Sequence, residues 1–275
     1  MPNLAAMLRE AKNLRAEMAK RNPPGSILWT FKRDPAELMA RAGMLPDPWQ
    51  AALLRSPSRR MQICCSRQSG KSQVGAALAL RAALLEAPAL ILIISASERQ
   101  AKEMFGDKIM RLYNLLDRPV AAIRETTLTV TLANGSRIIC LPADQKTIVG
   151  YSNVRLIIID EGSRVKDEVY LLVRPMLAVS KGRMVCLSTP YGKRGWFFEE
   201  WHKEDNEFLR TKITADQCPR FTSDFLEQER KTLGDRLYRQ EYEGSFEEVI
   251  DAVFDQQDIL AACDNSQQVL FGGGQ

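Results

Sequence analysis

A chain of 275 residues has room for one large α/β domain or two small ones. Its 45% hydrophobic and 26% charged content is that of an ordinary water-soluble globular protein, and its longest apolar run, residues 87–94 around one proline, is far too short for a bilayer-spanning helix. A net charge of +4 permits nucleic-acid contact without arguing for it, and six cysteines with no CxxC spacing, Cys64 and Cys65 being adjacent, fit a reduced cytoplasmic chain rather than a disulfide framework.

The N-terminus is charged and amphipathic, unlike a secretory signal. Residues 3–21 predict a helix with a partial apolar stripe of Leu4, Met7, Leu8, Leu14 and Met18. Asn22-Pro23-Pro24-Gly25-Ser26 ends it. Asp34 is placed to cap a second helix with Pro35 in its first position, and Pro46-Asp47-Pro48 to open a short third one through Trp49 and Gln50.

A short apolar strand, 61–65, then runs into Ser66-Arg67-Gln68-Ser69-Gly70-Lys71-Ser72, followed by an Ala/Leu-rich helix over 71–86. Strand, tight loop, Gly-Lys-Ser and helix is the layout of a nucleotide-phosphate cradle. Loop N–H groups and the helix N-terminus point at the phosphates, the lysine reaches the terminal ones, and the Ser72 hydroxyl ligates Mg²⁺. The chain is therefore expected to bind a nucleoside triphosphate. One element departs from the usual pattern: Cys65 stands where the first glycine is normally found.

Strand 89–95 and a helix from a Ser97 cap to about Leu116 come next. Segments 127–132 and 137–141 flank Ala133-Asn134-Gly135-Ser136, a strong hairpin signal. Strand 154–160 is apolar apart from Arg155 and ends in Asp160-Glu161. In phosphate-loop enzymes the first carboxylate holds Mg²⁺ and the second activates the attacking water. A helix over 167–179 precedes strand 184–188, which closes in Ser188-Thr189-Pro190 at the strand end where an open parallel sheet binds ligands. These hydroxyls suit a γ-phosphate, the attacking water or a nucleic-acid phosphate.

The alternation predicts an α/β phosphate-loop NTPase fold, a mainly parallel sheet with helices on both faces. Residues 208–213 suggest a last strand, 223–243 one or two charge-rich helices, and 251–275 a loosely ordered polar tail. The resulting division is a helical extension over 1–45, an ATPase core over 46–205, a small lid-like subdomain over 206–250 and the tail. The single histidine, His202, reads as an exposed helix residue rather than a metal ligand. Trp49 can stack on adenine, pack in the core or do both, and the Gln50 amide can pair with the base edge.

Taken in order, Trp49-Gln50, the Ser66–Ser72 loop with its internal Arg-Gln pair and missing first glycine, Leu156–Glu161 and Ser188-Thr189-Pro190 resemble the motor motifs of phage terminase large subunits. Gln240-Glu241-Tyr242-Glu243-Gly244-Ser245-Phe246 is similar to the segment that closes that motor domain, so the resemblance covers about residues 45–250. It implies a DNA-packaging ATPase: a ring, usually a pentamer, on the portal protein, working with a small terminase subunit to drive double-stranded DNA into a procapsid in the cytoplasm of a phage-infected or prophage-carrying bacterium. By the match, Ser66, Gln68, Ser69, Gly70, Lys71 and Ser72 hold ATP, and Ser72 and Asp160 hold Mg²⁺. Glu161 is the catalytic carboxylate, Arg67 stabilises the γ-phosphate, and Ser188 and Thr189 couple hydrolysis to DNA movement. An arginine from a neighbouring subunit can also enter, with Arg99, Arg111, Arg124 and Arg137 as candidates. The family usually continues into an RNase H-like nuclease. Here Asp251, Asp255, Asp258 and Asp264 sit in a short polar tail, so no nuclease activity is expected. A helicase-like ATPase, a small-metabolite kinase and a nucleotide-gated assembly protein are the competing readings.

Overall fold

The computed structural model describes residues 26–248. The helix expected over 3–21 and the tail with its four aspartates lie outside that span. The sequence supplies four strongly apolar segments, and they form the centre of one sheet: β1 (Arg60–Cys65), β2 (Leu90–Ser95), β6 (Leu156–Asp160) and β7 (Arg183–Ser188). With β3 (Ala122–Glu125), β4 (Thr129–Leu132), β5 (Arg137–Pro142) and β8 (Leu209–Ile213), the order is β3-β4-β5-β2-β6-β7-β1-β8. The run from β5 to β8 is parallel throughout, and β3 and β4 add antiparallel at one edge.

Central parallel strands are covered on both faces, which is why these segments read as continuous apolar runs. Alternate residues serve opposite faces. Ile63, Ile91, Ile93, Ile158 and Leu187 pack under α4 (Lys71–Leu85), together with Phe31 of α1 (Ile27–Arg33), Leu38 of α2 (Glu37–Arg41) and Leu54 of α3 (Pro48–Arg55). Leu92, Ile94, Ile157, Ile159 and Cys186 face the other way, onto Val169 and Tyr170 near the start of the helix Asp167–Val173 and onto Trp196 and Phe197 of the helix Gly195–His202.

Several local expectations are corrected. Asp34 closes α1, and its carboxylate accepts the Ala36 N–H (3.0 Å) in a turn, so α2 starts two residues later than expected, at Glu37. Helix α1 follows the Pro-Pro-Gly break directly, capped by Ser26, whose hydroxyl accepts the Trp29 N–H (3.2 Å). The helix from Ser97 reaches Leu115, but passes through a π-helical stretch, Met104–Met110. The helix expected to run to 179 becomes a 3₁₀ turn at Arg174–Leu177, where Pro175 lacks the N–H an α-helix needs. The long helix Ser223–Tyr242 bends at Gly234, whose φ of 72° leaves the helical region. The hairpin forms as expected, with Gly135 at φ 84°.

Strand β8 pairs with β1 from Met61↔Leu209 to Cys65↔Ile213. The sheet therefore continues past residue 205, and the small separate cluster of Ala215, Tyr238 and Tyr242 begins only after Ile213.

Candidate functional site

The functional side chains converge because parallel strands end on the same side. β7 lies between the phosphate-loop strand β1 and the acidic strand β6. Loops leaving β1, β6 and β7 then meet over a cavity of about 350 Å³ lined by Arg67, Lys71, Ser97, Arg99, Gln100, Glu161, Arg164, Thr189, Pro190 and Glu241.

In the phosphate loop, Cys65 is still a buried strand residue, and the left-handed φ values fall later, at Gln68 (55°) and Gly70 (91°). Gly70 caps α4 at a φ that favours glycine, and a Cβ there would meet Gln50 Nε2 at 2.6 Å and have to displace that amide. Ser66 and Ser69 are buried, while Arg67 and Gln68 are exposed. The Arg67 guanidinium lies 3.4 Å from the Glu241 carboxylate.

Lys71 is buried rather than displayed on a surface loop, with 8% exposure. Its ammonium sits 3.1 Å from Glu161 Oε1 and donates to Thr189 Oγ1 (3.3 Å). Burial alone would depress its pKa, but the Glu161 and Asp160 carboxylates outweigh it and hold it above the ordinary value. Glu161 follows β6 in a left-handed conformation, φ 57°, which carries its side chain back over the cavity.

Asp160 is the last residue of β6. Its Oδ2 accepts from the Ser72 hydroxyl (3.0 Å), while its buried Oδ1 has no partner among the described residues. Burial, then the adjacent Glu161 charge, push its carboxyl up from 3.8 to about 6 against the pull of Lys71 and Ser72. Two hard oxygens, one hydroxyl and one unpartnered carboxylate atom, are the donor set a magnesium ion takes.

The structure divides the Ser188-Thr189 pair. Thr189 lines the cavity, whereas the buried Ser188 hydroxyl meets Ser163 Oγ at 2.6 Å and accepts the Ser163 N–H (3.1 Å). Gln50 does not present a free amide: its Oε1 accepts the Asp47 N–H (2.9 Å) and its Nε2 donates to Gly70 O (3.3 Å). Trp49 is half-buried against the core. Of the arginines considered for entry into a neighbour's site, Arg99 lines this chain's own cavity, and Arg137 sits at the start of β5, at the opposite end of the strands. Arg111 and Arg124 are exposed and do not line the cavity. His202 is exposed at a helix end, as expected.

Sequence reasoning missed Arg164, which lies 4.1 Å over the Tyr191 ring and lines the cavity. Its place three residues beyond Glu161 was the available signal. It also missed Arg220, which forks onto Asp47 (3.0 and 2.7 Å), and Ser163 beneath Ser188.

A phosphate loop after one strand, a carboxylate pair two strands away and an additional strand between them define the ASCE division of phosphate-loop NTPase folds. The chain belongs to the terminase large subunit family, through its N-terminal domain of T4-like virus type, whose profile matches residues 63–261. It is 24% identical over 253 residues to the terminase large subunit of Thermus virus P23-45, covering 79% of this chain and 52% of that one. The large terminase ATPase domain of Thermus phage P74-26 superposes with a TM-score of 0.66 at 22% identity, over 76% of this chain and 97% of that domain. The large terminase of a thermophilic bacteriophage, in complex with ATP-γ-S, gives 0.59 at 14% identity, over 73% and 53%. The chain thus spans about half the length of the curated relatives it matches.

Proposed function

We propose that this chain is the ATPase motor of a genome-packaging terminase, hydrolysing ATP to move double-stranded DNA into a procapsid. The observation that carries this reading is the meeting of Lys71, Glu161 and Thr189 in one cavity, beside the Ser72–Asp160 pair with its unpartnered oxygen. The relatives named as an ATPase domain and as an ATP-γ-S complex support the choice of nucleotide.

In this reading the loop N–H groups and Lys71 take the β- and γ-phosphates. Ser72 and Asp160 hold Mg²⁺, which neutralises phosphate charge when bound. Glu161 accepts the proton of the attacking water. Lys71 is bound to Glu161 and Thr189, so a γ-phosphate that draws the ammonium away frees the carboxylate to act as base and releases the Thr189 hydroxyl. Arg67, Arg99 and Arg164 offer positive charge from this subunit, leaving Arg111, Arg124 and Arg137 to serve a neighbour in a ring, in the usual case a pentamer. Trp49 and Gln50 border the base. Residues 214–248 act as a lid, and the described part of the N-terminal extension, residues 26–45, packs on the core. Portal protein, a small terminase subunit and duplex DNA are the partners, in the cytoplasm of an infected bacterium. No described helix is long and apolar enough to cross a membrane.

The test is ATP hydrolysis with no phosphate acceptor, with and without duplex DNA. Turnover that needs no acceptor and rises with DNA supports the motor. Turnover only when a small-molecule acceptor is supplied identifies a kinase and overturns the proposal.

A further inference from the structure

The phosphate loop is held from outside along its length. The Ser66 N–H donates to Ile213 O (2.8 Å) and the Arg67 N–H to Glu241 O (2.7 Å). Ser69 O accepts from Arg220 Nη2 (2.7 Å), and Gly70 O accepts from Gln50 Nε2 (3.3 Å). Three of these four partners belong to the last strand and the segment after it. Arg220 is also tied to the fourth, because it forks onto the carboxylate of Asp47, and the Asp47 N–H is the group that Gln50 Oε1 accepts from. Asp47 is buried, 7% exposed, and the Arg220 fork on it is bidentate, the geometry in which an arginine holds a carboxylate with directional specificity.

The two carbonyl contacts have a consequence set by peptide geometry. In a trans peptide the C=O and the following N–H point in opposite directions. Fixing Ser69 O on Arg220 turns the Gly70 N–H away from Arg220, and fixing Gly70 O on Gln50 turns the Lys71 N–H away from Gln50. Neither Arg220 nor Gln50 lines the cavity that Lys71 enters. Those two N–H groups are the donors a bound phosphate needs. If either peptide flipped, it would present a carbonyl oxygen to an anion. Gly70, at φ 91° and without a Cβ, offers little intrinsic resistance to such a flip.

We infer that Arg220 is a positioning residue for nucleotide binding: through Ser69 O, and with Asp47 and Gln50, it holds the phosphate loop in the conformation whose N–H groups receive phosphate. The inference rests on the proposed nucleotide site. Arg220 touches no phosphate itself, so its loss acts on affinity through the loop. The segment that carries it also carries Glu241, so displacement of that segment loosens the loop at two points, and nucleotide affinity reports on its position.

The experiment measures the affinity of a fluorescent ATP analogue, steady-state kcat and KM, and thermal stability for wild type, Arg220→Ala, Arg220→Lys, Asp47→Ala, the Arg220→Ala/Asp47→Ala pair and Lys71→Ala. Losing a charge-assisted contact to the loop weakens nucleotide affinity by about 10-fold or more. KM rises with it and kcat at saturation stays close to wild type. Arg220→Lys keeps the charge beside Asp47 but cannot fork onto it while reaching Ser69 O, so it restores stability but only part of the affinity. The double variant binds no worse than Arg220→Ala alone, because Asp47 acts through Arg220. Wild-type affinity in both Arg220 variants overturns the inference, as does full recovery by lysine or an additive double variant. If Arg220→Ala does not fold, Arg220→Lys and Asp47→Ala decide by the same criteria. A wild-type chain that binds no nucleotide refutes the site itself. A wild type that binds, with Lys71→Ala that does not and Arg220→Ala that does, refutes only the role of Arg220.

Discussion

Asp160 gives the sharpest quantitative test of the site. Its carboxyl is raised from 3.8 to about 6 by burial and by Glu161, and one of its oxygens has no partner among the described residues. A group whose folded pKa lies above its unfolded value favours folding fully below the unfolded pKa, and that contribution is lost as pH rises through the folded value. Relative to acid, ionised Asp160 therefore destabilises the metal-free fold by roughly 1–2 kcal/mol at pH 5 and roughly 3 kcal/mol at pH 8. Asp160→Asn removes this pH-dependent part. It also places an amide N–H where Oδ1 had no partner, which costs about 1–3 kcal/mol independently of pH. The informative quantity is thus the change in the variant-minus-wild-type difference, not the difference itself. Urea unfolding in chelator should show the variant gaining on the order of 1 kcal/mol on wild type between pH 5 and pH 8. Excess Mg²⁺ at pH 8 should then stabilise wild type and leave the variant unmoved. Parallel stability profiles for the two proteins, or equal stabilisation of both by Mg²⁺, would refute the assignment of Asp160 as a strained, metal-seeking carboxylate.

Glu161→Gln should keep nucleotide binding and slow turnover by at least ~100-fold, the low end of general-base contributions; loss of ATP affinity with normal turnover of the bound fraction would mean the two carboxylates have exchanged roles. Lys71→Ala should abolish hydrolysis and, because it strips the cation paired with Glu161 beside buried Asp160, should destabilise the chain more at pH 8 than at pH 5; calorimetry at both pH values checks it. Specific activity should rise with protein concentration if a neighbour supplies an arginine, a contribution of ~10³–10⁵ in other phosphate-loop enzymes, and one of Arg111→Ala, Arg124→Ala and Arg137→Ala should remove that rise, whereas Arg99→Ala should lower activity at every concentration. Duplex DNA should bind weakly, without sequence preference and with a steep loss in salt, and plasmid incubated with Mg²⁺ or Mn²⁺ should stay intact; cleavage that tracks with the protein and disappears on mutating Asp251, Asp255, Asp258 and Asp264 would refute this.

What the sequence shows well is what local pattern controls. The apolar runs of β1, β2, β6 and β7 could only be buried on both faces, and the carboxylate pair and the Ser-Thr pair follow from where those runs stop. What it hides is the partnering. Arg220 and Asp47 are 173 positions apart, and no periodicity links them. Gln50 looked free to read a base, yet both ends of its amide are engaged, because it sits in the capping box of α3 against the phosphate loop. Nor does any pattern show that Lys71 is buried and paired with Glu161, which meets it from a left-handed turn. Strand β8 is legible as a strand over 208–213, but its pairing beside β1 is not, because its residues are half polar, as suits an edge strand whose outer side meets solvent.

Cys65 shows how the two kinds of information combine. A glycine is required where φ is positive or where another group approaches too closely for a Cβ. Cys65 meets neither condition: it remains in β1, paired with Ile213, and its buried thiol is pushed up to about 12, so it stays an inert core group. The turn that the absent glycine would have made easier is taken instead at Gln68 and Gly70. The loop keeps that shape because β8 extends the sheet beside β1 and delivers Ile213, then Arg220 and Glu241, to its outer side. A phosphate loop with one glycine fewer is therefore consistent with a cradle held by more external contacts, and the conformational work falls to residues that no local motif contains.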